Sequence, residues 1–373
     1  SRMLKQLQVR NFRSLSDATF EPRAIELIVG PNGSGKTALC KVMQFVGLCG
    51  TKVFDMAARA CFGESCVANE KLYYEPTHIS LSGDLTVSDE EECQFEYELC
   101  FRKQKPEWPP KQYEIDRVSE RLTLSGCEYG SGLVVLEARG AETLYLNEEH
   151  YRIGAKRPYD LVHTGSCGSG VGNRPRGKGY GGCDLFARYL GQWRYFWFEP
   201  SRFTRNMDGN DQYALMPDGT NLRCMLKRLY LEEQSTMNRF LTGALGRSGD
   251  PESPSRLAAI GYGLMFATEP QSLVIIEEPE NGLHVSLYKE VMRLAEEAAD
   301  RGVQVIFTSH SPYFIDLFDG RLDAITLCAP SENGSRIEKA DPEWLKTVLR
   351  KFDLGEAYFH GLMRRPATKG VVN

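Results

Sequence analysis

The segment Gly30-Pro31-Asn32-Gly33-Ser34-Gly35-Lys36-Thr37 sets four residues between two glycines and closes on a lysine and a hydroxyl. This G-x-x-x-x-G-K-[ST] spacing suits the cradling of phosphates. Glycines let backbone N–H groups curl round an anion, so Asn32, Gly33, Ser34 and Gly35 are expected to line the cradle. Lys36 is expected to neutralise the β and γ phosphates of ATP. Thr37 offers the kind of oxygen ligand that Mg2+ prefers.

A second constellation is Leu273-Val274-Ile275-Ile276-Glu277-Glu278-Pro279-Glu280-Asn281-Gly282-Leu283-His284. Four apolar residues ending in two acids place carboxylates at the tip of a buried strand. Ligands of open α/β sheets bind at that edge. Glu277 is expected to reach magnesium through water, and Glu278 to polarise an attacking water as general base. A solvated acidic turn is the alternative for this stretch alone. The third is Phe307-Thr308-Ser309-His310-Ser311-Pro312, again at the end of an apolar strand. His310 there is expected to sense or polarise the γ-phosphate, or to hold the water.

The elements needed to position these residues are legible nearby. Ile25 to Val29 is an apolar run that ends on the glycine-rich segment, and Leu39, Val42, Met43 and Val46 recur at helical spacing from Lys36 to about Leu48. Such a helix would aim the positive end of its dipole at the phosphates. Leu287, Val291, Leu294 and Ala298 predict a helix after the second constellation, and Val303 to Phe307 the strand before the third. Strands alternating with helices imply a mainly parallel sheet. Leu4 to Phe20 suits two short strands round a turn at Asn11 to Asp17. His78 to Leu81, Gln94 to Leu99 and Leu133 to Leu136 read instead as antiparallel strands inserted in the α/β core. Residues 164 to 182 carry eight glycines with Arg174, Arg176, Lys178 and no acid, and are expected to be a flexible basic loop. The aromatic run Trp193 to Phe198 reads as a buried strand rather than a base-stacking platform.

Composition narrows the class. The 373 residues suffice for one large α/β domain or two modest ones, and 42% hydrophobic with 25% charged residues is ordinary for a soluble protein. A formal charge of −5 does not advertise a nucleic-acid binder, although a local basic groove remains compatible with it. The 11 cysteines are odd in number and scattered, without a C-x-x-C pair, so free thiols and a cytoplasmic location are expected. No apolar run approaches the ~20 residues that span a bilayer, and no membrane association is expected.

The three motifs, in this order, resemble those of ABC-type ATPases of the SMC and RecF kind. The likeness is closest to stand-alone ATPases related to the overcoming-lysogenisation-defect (OLD) family. Val9-Arg10-Asn11-Phe12-Arg13-Ser14-Leu15 looks like that group's first strand and turn. Glu278 to His284 looks like its Walker B and D-loop, and Thr308 to Pro312 like its switch histidine. Leu354 to Gly361 resembles a tail often seen there. The resemblance covers residues 3 to 50 and 250 to 361; the middle matches no motif.

It implies an α/β P-loop NTPase of the ABC-ATPase type: a mainly parallel sheet flanked by helices, an antiparallel β region and a helical or loop insertion. Residues 3–60 and 201–373 would form the ATPase core, and 61–200 a β-rich insertion. Glu277 would be the Walker B acid, Glu278 the base, His310 the switch residue and Arg13 a phosphate contact. Two heads would sandwich two nucleotides, with Asn281 at the dimer interface and each site borrowing a signature segment from the other subunit. Ser253 or Ser255 would serve as that signature, although Pro251 to Ala259 lacks its usual glycine. The implied function is ATP hydrolysis with Mg2+, in a homodimer acting with DNA, RNA or a separate nuclease or toxin chain in genome maintenance or phage defence. OLD nucleases carry a TOPRIM domain; with 61 residues after Pro312, none is expected in this sequence. The alternatives are a nucleotide-gated module with little hydrolysis and a transporter's nucleotide-binding subunit.

Overall fold

The computed structural model describes residues 4–63, 74–88, 91–104, 114–177, 179–203, 214–246 and 253–366. Lys178 and Pro251, singled out above, lie outside them, as does Cys66. The strands are β1 (Leu4–Phe12), β2 (Leu15–Phe20), β3 (Ile25–Val29), β4 (Thr77–Ser88), β5 (Glu91–Lys103), β6 (Ile115–Ser125), β7 (Leu133–Arg139), β8 (Glu142–Leu146), β9 (Tyr159–His163), β10 (Arg194–Phe196), β11 (Leu273–Glu277), β12 (Gln304–Ser309), β13 (Ile325–Ser331) and β14 (Gly334–Lys339). The helices are α1 (Lys36–Cys49), α2 (Phe54–Phe62), α3 (Glu148–Arg152), α4 (Gly181–Gly191), α5 (Leu222–Arg228), α6 (Leu231–Leu245), α7 (Ser253–Met265), α8 (Tyr288–Asp300), α9 (Pro312–Ile315), α10 (Pro342–Val348) and α11 (Leu354–Phe359).

Two sheets result. One has six strands in the order β10-β11-β12-β3-β13-β14. Its first five are mutually parallel, and β14 runs back along β13. Every residue of β3 and β12 is buried, as expected of strands covered on both faces. Ile28, Ile275 and Ile306 face α1 and the second sheet, while Leu27, Val29, Val274, Ile276, Val305 and Phe307 face α7 and α8. The structure is therefore the expected P-loop α/β core, with the parallel sheet at its centre.

The second sheet has eight antiparallel strands in the order β2-β1-β4-β5-β6-β7-β8-β9. Its inner side chains alternate along β4 and β5 and pack on helices: Phe45 and Phe54 on Phe101, Phe186 on Phe95 and Tyr97. The antiparallel region is thus more than an insertion. β1, placed with residues 3–60 of the core, pairs directly with β4 on one side and with β2 on the other. Conversely β10, placed in the 61–200 insertion, is the edge strand of the parallel sheet. Alternation in sequence reports a strand's period but not its partner, which is why the division drawn on residue number cuts across both sheets.

The glycine-rich run also departs from expectation. Its first half is packed against β6. The Glu120 carboxylate, fully buried, accepts from Ser169 Oγ at 3.0 Å, from the amides of Gly170 and Val171, and from Tyr97 Oη at 2.9 Å. Arg117, equally buried, pairs with Glu120 at 3.1 Å and donates to Thr143, Thr164 and the Gly165 carbonyl. An ion pair removed from water is tolerable only when its remaining hydrogen-bonding sites are met, and this run meets them. Arg174 is tied to Asp184. Composition alone cannot show that a polar run will line a buried charge contributed by another strand.

Candidate functional site

Parallel register brings the three motifs together. Thr308 of β12 lies beside Glu277 of β11, and Ser309 lies beside Val29 of β3. The chain leaving β3 (Gly30), β11 (Glu278) and β12 (His310) therefore emerges at one level, on the carboxyl edge of three adjacent strands.

The loop after β3 is tightly built. A Cβ at Gly30 would stand 2.4 Å from the Cys328 carbonyl oxygen, so only glycine lets β3 turn into the loop so close to β13. Gly35 has φ +101°, and a Cβ there would meet Ser335 Oγ at 2.3 Å. Lys36 begins α1, is buried, and donates through Nζ to the carbonyls of Gly30 at 2.6 Å and Pro31 at 3.2 Å. The lysine is thus folded over the loop, its charge held where an anion would sit. Asn32, Gly33 and Thr37 are exposed, whereas Ser34 is buried with its hydroxyl unpartnered. Arg13 sits in the β1–β2 turn at φ +53°, its guanidinium 4.7 Å from the Phe62 ring. The carbonyl of the adjoining Ser14 accepts from the Ser335 amide, and its hydroxyl faces Gly35.

Glu277 ends β11. Burial raises its pKa above the usual carboxylate range; the Tyr195 hydroxyl, the nearby Thr37 side chain and the charge of Lys41 oppose the rise. Tyr195 Oη donates to its Oε2 at 2.8 Å, while Oε1 is buried with no hydrogen-bond partner. A buried carboxylate oxygen left free beside a threonine hydroxyl fits a divalent cation's oxygen shell. Thr37 and Glu277 are the residues that would hold Mg2+.

Glu278 adopts φ +45°, a left-handed conformation that is strained for a residue with a side chain. Four main-chain bonds hold it there. Its amide donates to Thr308 O at 3.0 Å and Thr308 Oγ1 at 3.2 Å; its carbonyl accepts from Asn281 N at 3.0 Å and from Arg256 at 2.7 Å. The twist turns the carboxylate towards His310, which donates through Nδ1 to Oε1 at 3.1 Å. Asn281 Nδ2 holds Oε2 at 2.6 Å. The proposed base, switch histidine and interface asparagine thus form one chain of contacts.

Three further residues belong to this site and were not singled out from sequence. Arg256, on the first turns of α7, is fully buried and donates to the Phe198 and Glu278 carbonyls; desolvation lowers its pKa to about 10. Its signal was a lone charge heading the apolar run Leu257 to Ile260. Glu280 is buried, accepts from Ser309 Oγ and the His310 amide, and has its pKa raised by that burial. Tyr195 was concealed by the aromatic run round it. The signature candidates stand elsewhere: α7 begins at Ser253, and Ser255 is exposed on its first turn.

Residues 255–316, which include Arg256, Glu277, Glu278 and His310, match the family described as AAA domain, putative AbiEii toxin, Type IV TA system. A stretch of 47 residues is 49% identical to the DNA replication and repair protein RecF of Psychromonas ingrahamii, over 12% of this chain and 13% of that protein. Another of 44 residues is 48% identical to the OLD nuclease of Thermus scotoductus, over 12% of this chain and 8% of the nuclease. Over these stretches the chain is similar to RecF and to an OLD nuclease. The matches span only a small part of either relative's length. Among solved structures, the SMC head domain from Thermotoga maritima is 15% identical with a TM-score of 0.44, over 91% of this chain and 99% of that one. An Smc head domain from Pyrococcus furiosus, bound to the C-terminal domain of ScpA, is 10% identical with a TM-score of 0.45, over 94% and 99%. Among the described residues no helix is long and apolar enough to cross a membrane, and no three His, Cys, Asp or Glu side chains cluster as a further metal site. The ten described cysteines are free.

Proposed function

We propose that this chain binds and hydrolyses ATP as an ABC-type head, with Mg2+ held by Thr37 and Glu277. The observation that carries the reading is the convergence of the Lys36 loop, Glu277, Glu278 and His310 on one sheet edge, with Glu278 and His310 in contact at 3.1 Å. The loop amides and Lys36 bind and orient the phosphates. Bound magnesium would supply charge neutralisation at the phosphate oxygens. Glu278, held by His310 and Asn281, takes a proton from the attacking water.

In the same reading two heads pair on nucleotide, each offering the start of α7, with Ser253 or Ser255, to the other's phosphates. Arg13 is then a further phosphate contact and Asn281 an interface residue. The RecF, OLD nuclease and AbiEii-type matches support work on nucleic acid, or with a separate nuclease or toxin chain, in genome maintenance or defence. Steady-state phosphate release with Mg2+ tests the enzyme. Turnover lost in Lys36→Ala and sharply reduced in Glu278→Gln supports it, and turnover unchanged in Lys36→Ala rejects it. The missing signature glycine favours a second reading, a nucleotide-gated module. Tight ATP binding without phosphate release would establish that reading instead.

A further inference from the structure

Tyr195 lies on β10, opposite Ile275 of β11. Ile275 and Glu277 share a face of their strand, because side chains alternate with period two. The phenol therefore extends along the sheet towards Glu277 and donates to Oε2 at 2.8 Å. Lys41, a nearby cation, does not occupy the carboxylate. Its ammonium lies 4.5 Å from the centroid of the Tyr195 ring, on the ring's negative face. One oxygen of Glu277 is thus committed to an O–H donor, a cation stands close without taking the other, and Oε1 is left buried and unpartnered.

A phenylalanine would fill the same volume. What the hydroxyl adds is orientation. A buried carboxylate with both oxygens free can rotate about its last torsion, whereas one held at Oε2 presents Oε1 in a single direction. We propose that Tyr195 is a positioning residue for the metal-side carboxylate, fixing Glu277 so that Oε1 faces the divalent cation of the nucleotide complex. This rests on the reading of Glu277 as the magnesium-side acid. β10 then has a task beyond closing the sheet: it carries the partner that orients the metal ligand.

The test is Mn2+ binding to the full chain in the presence of a non-hydrolysable ATP analogue, read from the free-Mn2+ EPR signal. Analogue affinity in EDTA is measured alongside. Outer-shell partners of metal ligands are worth about 10- to 100-fold in metal affinity. Tyr195→Phe is expected to weaken Mn2+ binding by about tenfold or more and to leave the metal-free analogue affinity unchanged. Glu277→Asp withdraws the carboxylate from the phenol by one methylene, and adding Tyr195→Phe to it should cost no further Mn2+ affinity. A Tyr195→Phe titration that overlays the wild type, while Glu277→Gln weakens Mn2+ binding, overturns this inference alone and leaves Tyr195 a packing residue. Fully additive losses in the double variant overturn it as well. If Glu277→Gln also leaves Mn2+ binding unchanged, the metal-site reading fails and takes this inference with it.

Discussion

The guanidinium of Arg256 donates to the main-chain carbonyl of Glu278 at 2.7 Å, and so ties the first turns of α7 to the strained residue that would serve as base. A second donor of the same side chain holds Phe198, beyond β10. One buried arginine thus joins a helix, the edge of the sheet and the turn of Glu278. A buried carbonyl that loses its donor costs about 1–3 kcal/mol. Arg256→Met is therefore expected to lower the unfolding free energy by about that amount, measured by urea denaturation. It should reduce turnover more than ATP affinity, because the loop of Lys36 is untouched. Arg256→Lys should recover only part of the loss, since a single ammonium cannot span both carbonyls as a planar fork does.

Lys36 is the simplest test of the phosphate cradle. Its ammonium already bridges the carbonyls of Gly30 and Pro31, and an alanine removes the only charge the loop itself supplies. Lys36→Ala is expected to abolish binding of a fluorescent ATP analogue with the fold intact by circular dichroism. An unchanged affinity would sink the phosphate-loop reading.

For Glu278 the expected signature is a split between binding and chemistry. Glu278→Gln keeps the size of the side chain and an acceptor for Asn281 or His310, but not its basicity. ATP should still bind, and phosphate release should fall by roughly 10²–10⁴-fold, the scale of a general base. His310→Ala removes one of the two side-chain contacts that orient the carboxylate and should lower turnover in the same direction, by less. Persistence of wild-type turnover in Glu278→Gln would place the base elsewhere.

Glu280 offers a prediction in pH. Burial raises its pKa above the ordinary carboxylate value, so the native state holds this proton more tightly than the unfolded chain. Its contribution to stability is then fully present below the unfolded pKa and is lost as pH rises through the folded one. Glu280→Gln removes that dependence. The difference in thermal midpoint between wild type and variant, measured without nucleotide, should change between about pH 4.5 and neutrality, with wild type gaining relative to the variant as pH falls. A difference flat across that range would show that Glu280 is not titrating from a buried site.

Local pattern was enough for much of this molecule. The glycine spacing of residues 30 to 37, the acids closing Leu273 to Ile276 and the histidine after Val303 to Phe307 each announce a strand end, because a buried strand is a short apolar run and its tip is where polar chemistry can begin. The central sheet and the meeting of Lys36, Glu277, Glu278 and His310 follow from those runs. What depended on tertiary structure was which residues meet across elements distant in the chain. Tyr195 reaches Glu277, and Arg256 reaches Glu278, only because β10 and α7 pack against β11. The run round Ser169 and Gly170 is ordered only because Glu120 and Arg117 on β6 need its donors and acceptors. Neither pairing leaves a periodic trace: a buried hydroxyl or guanidinium looks like any other polar residue until the partner that satisfies it is in place.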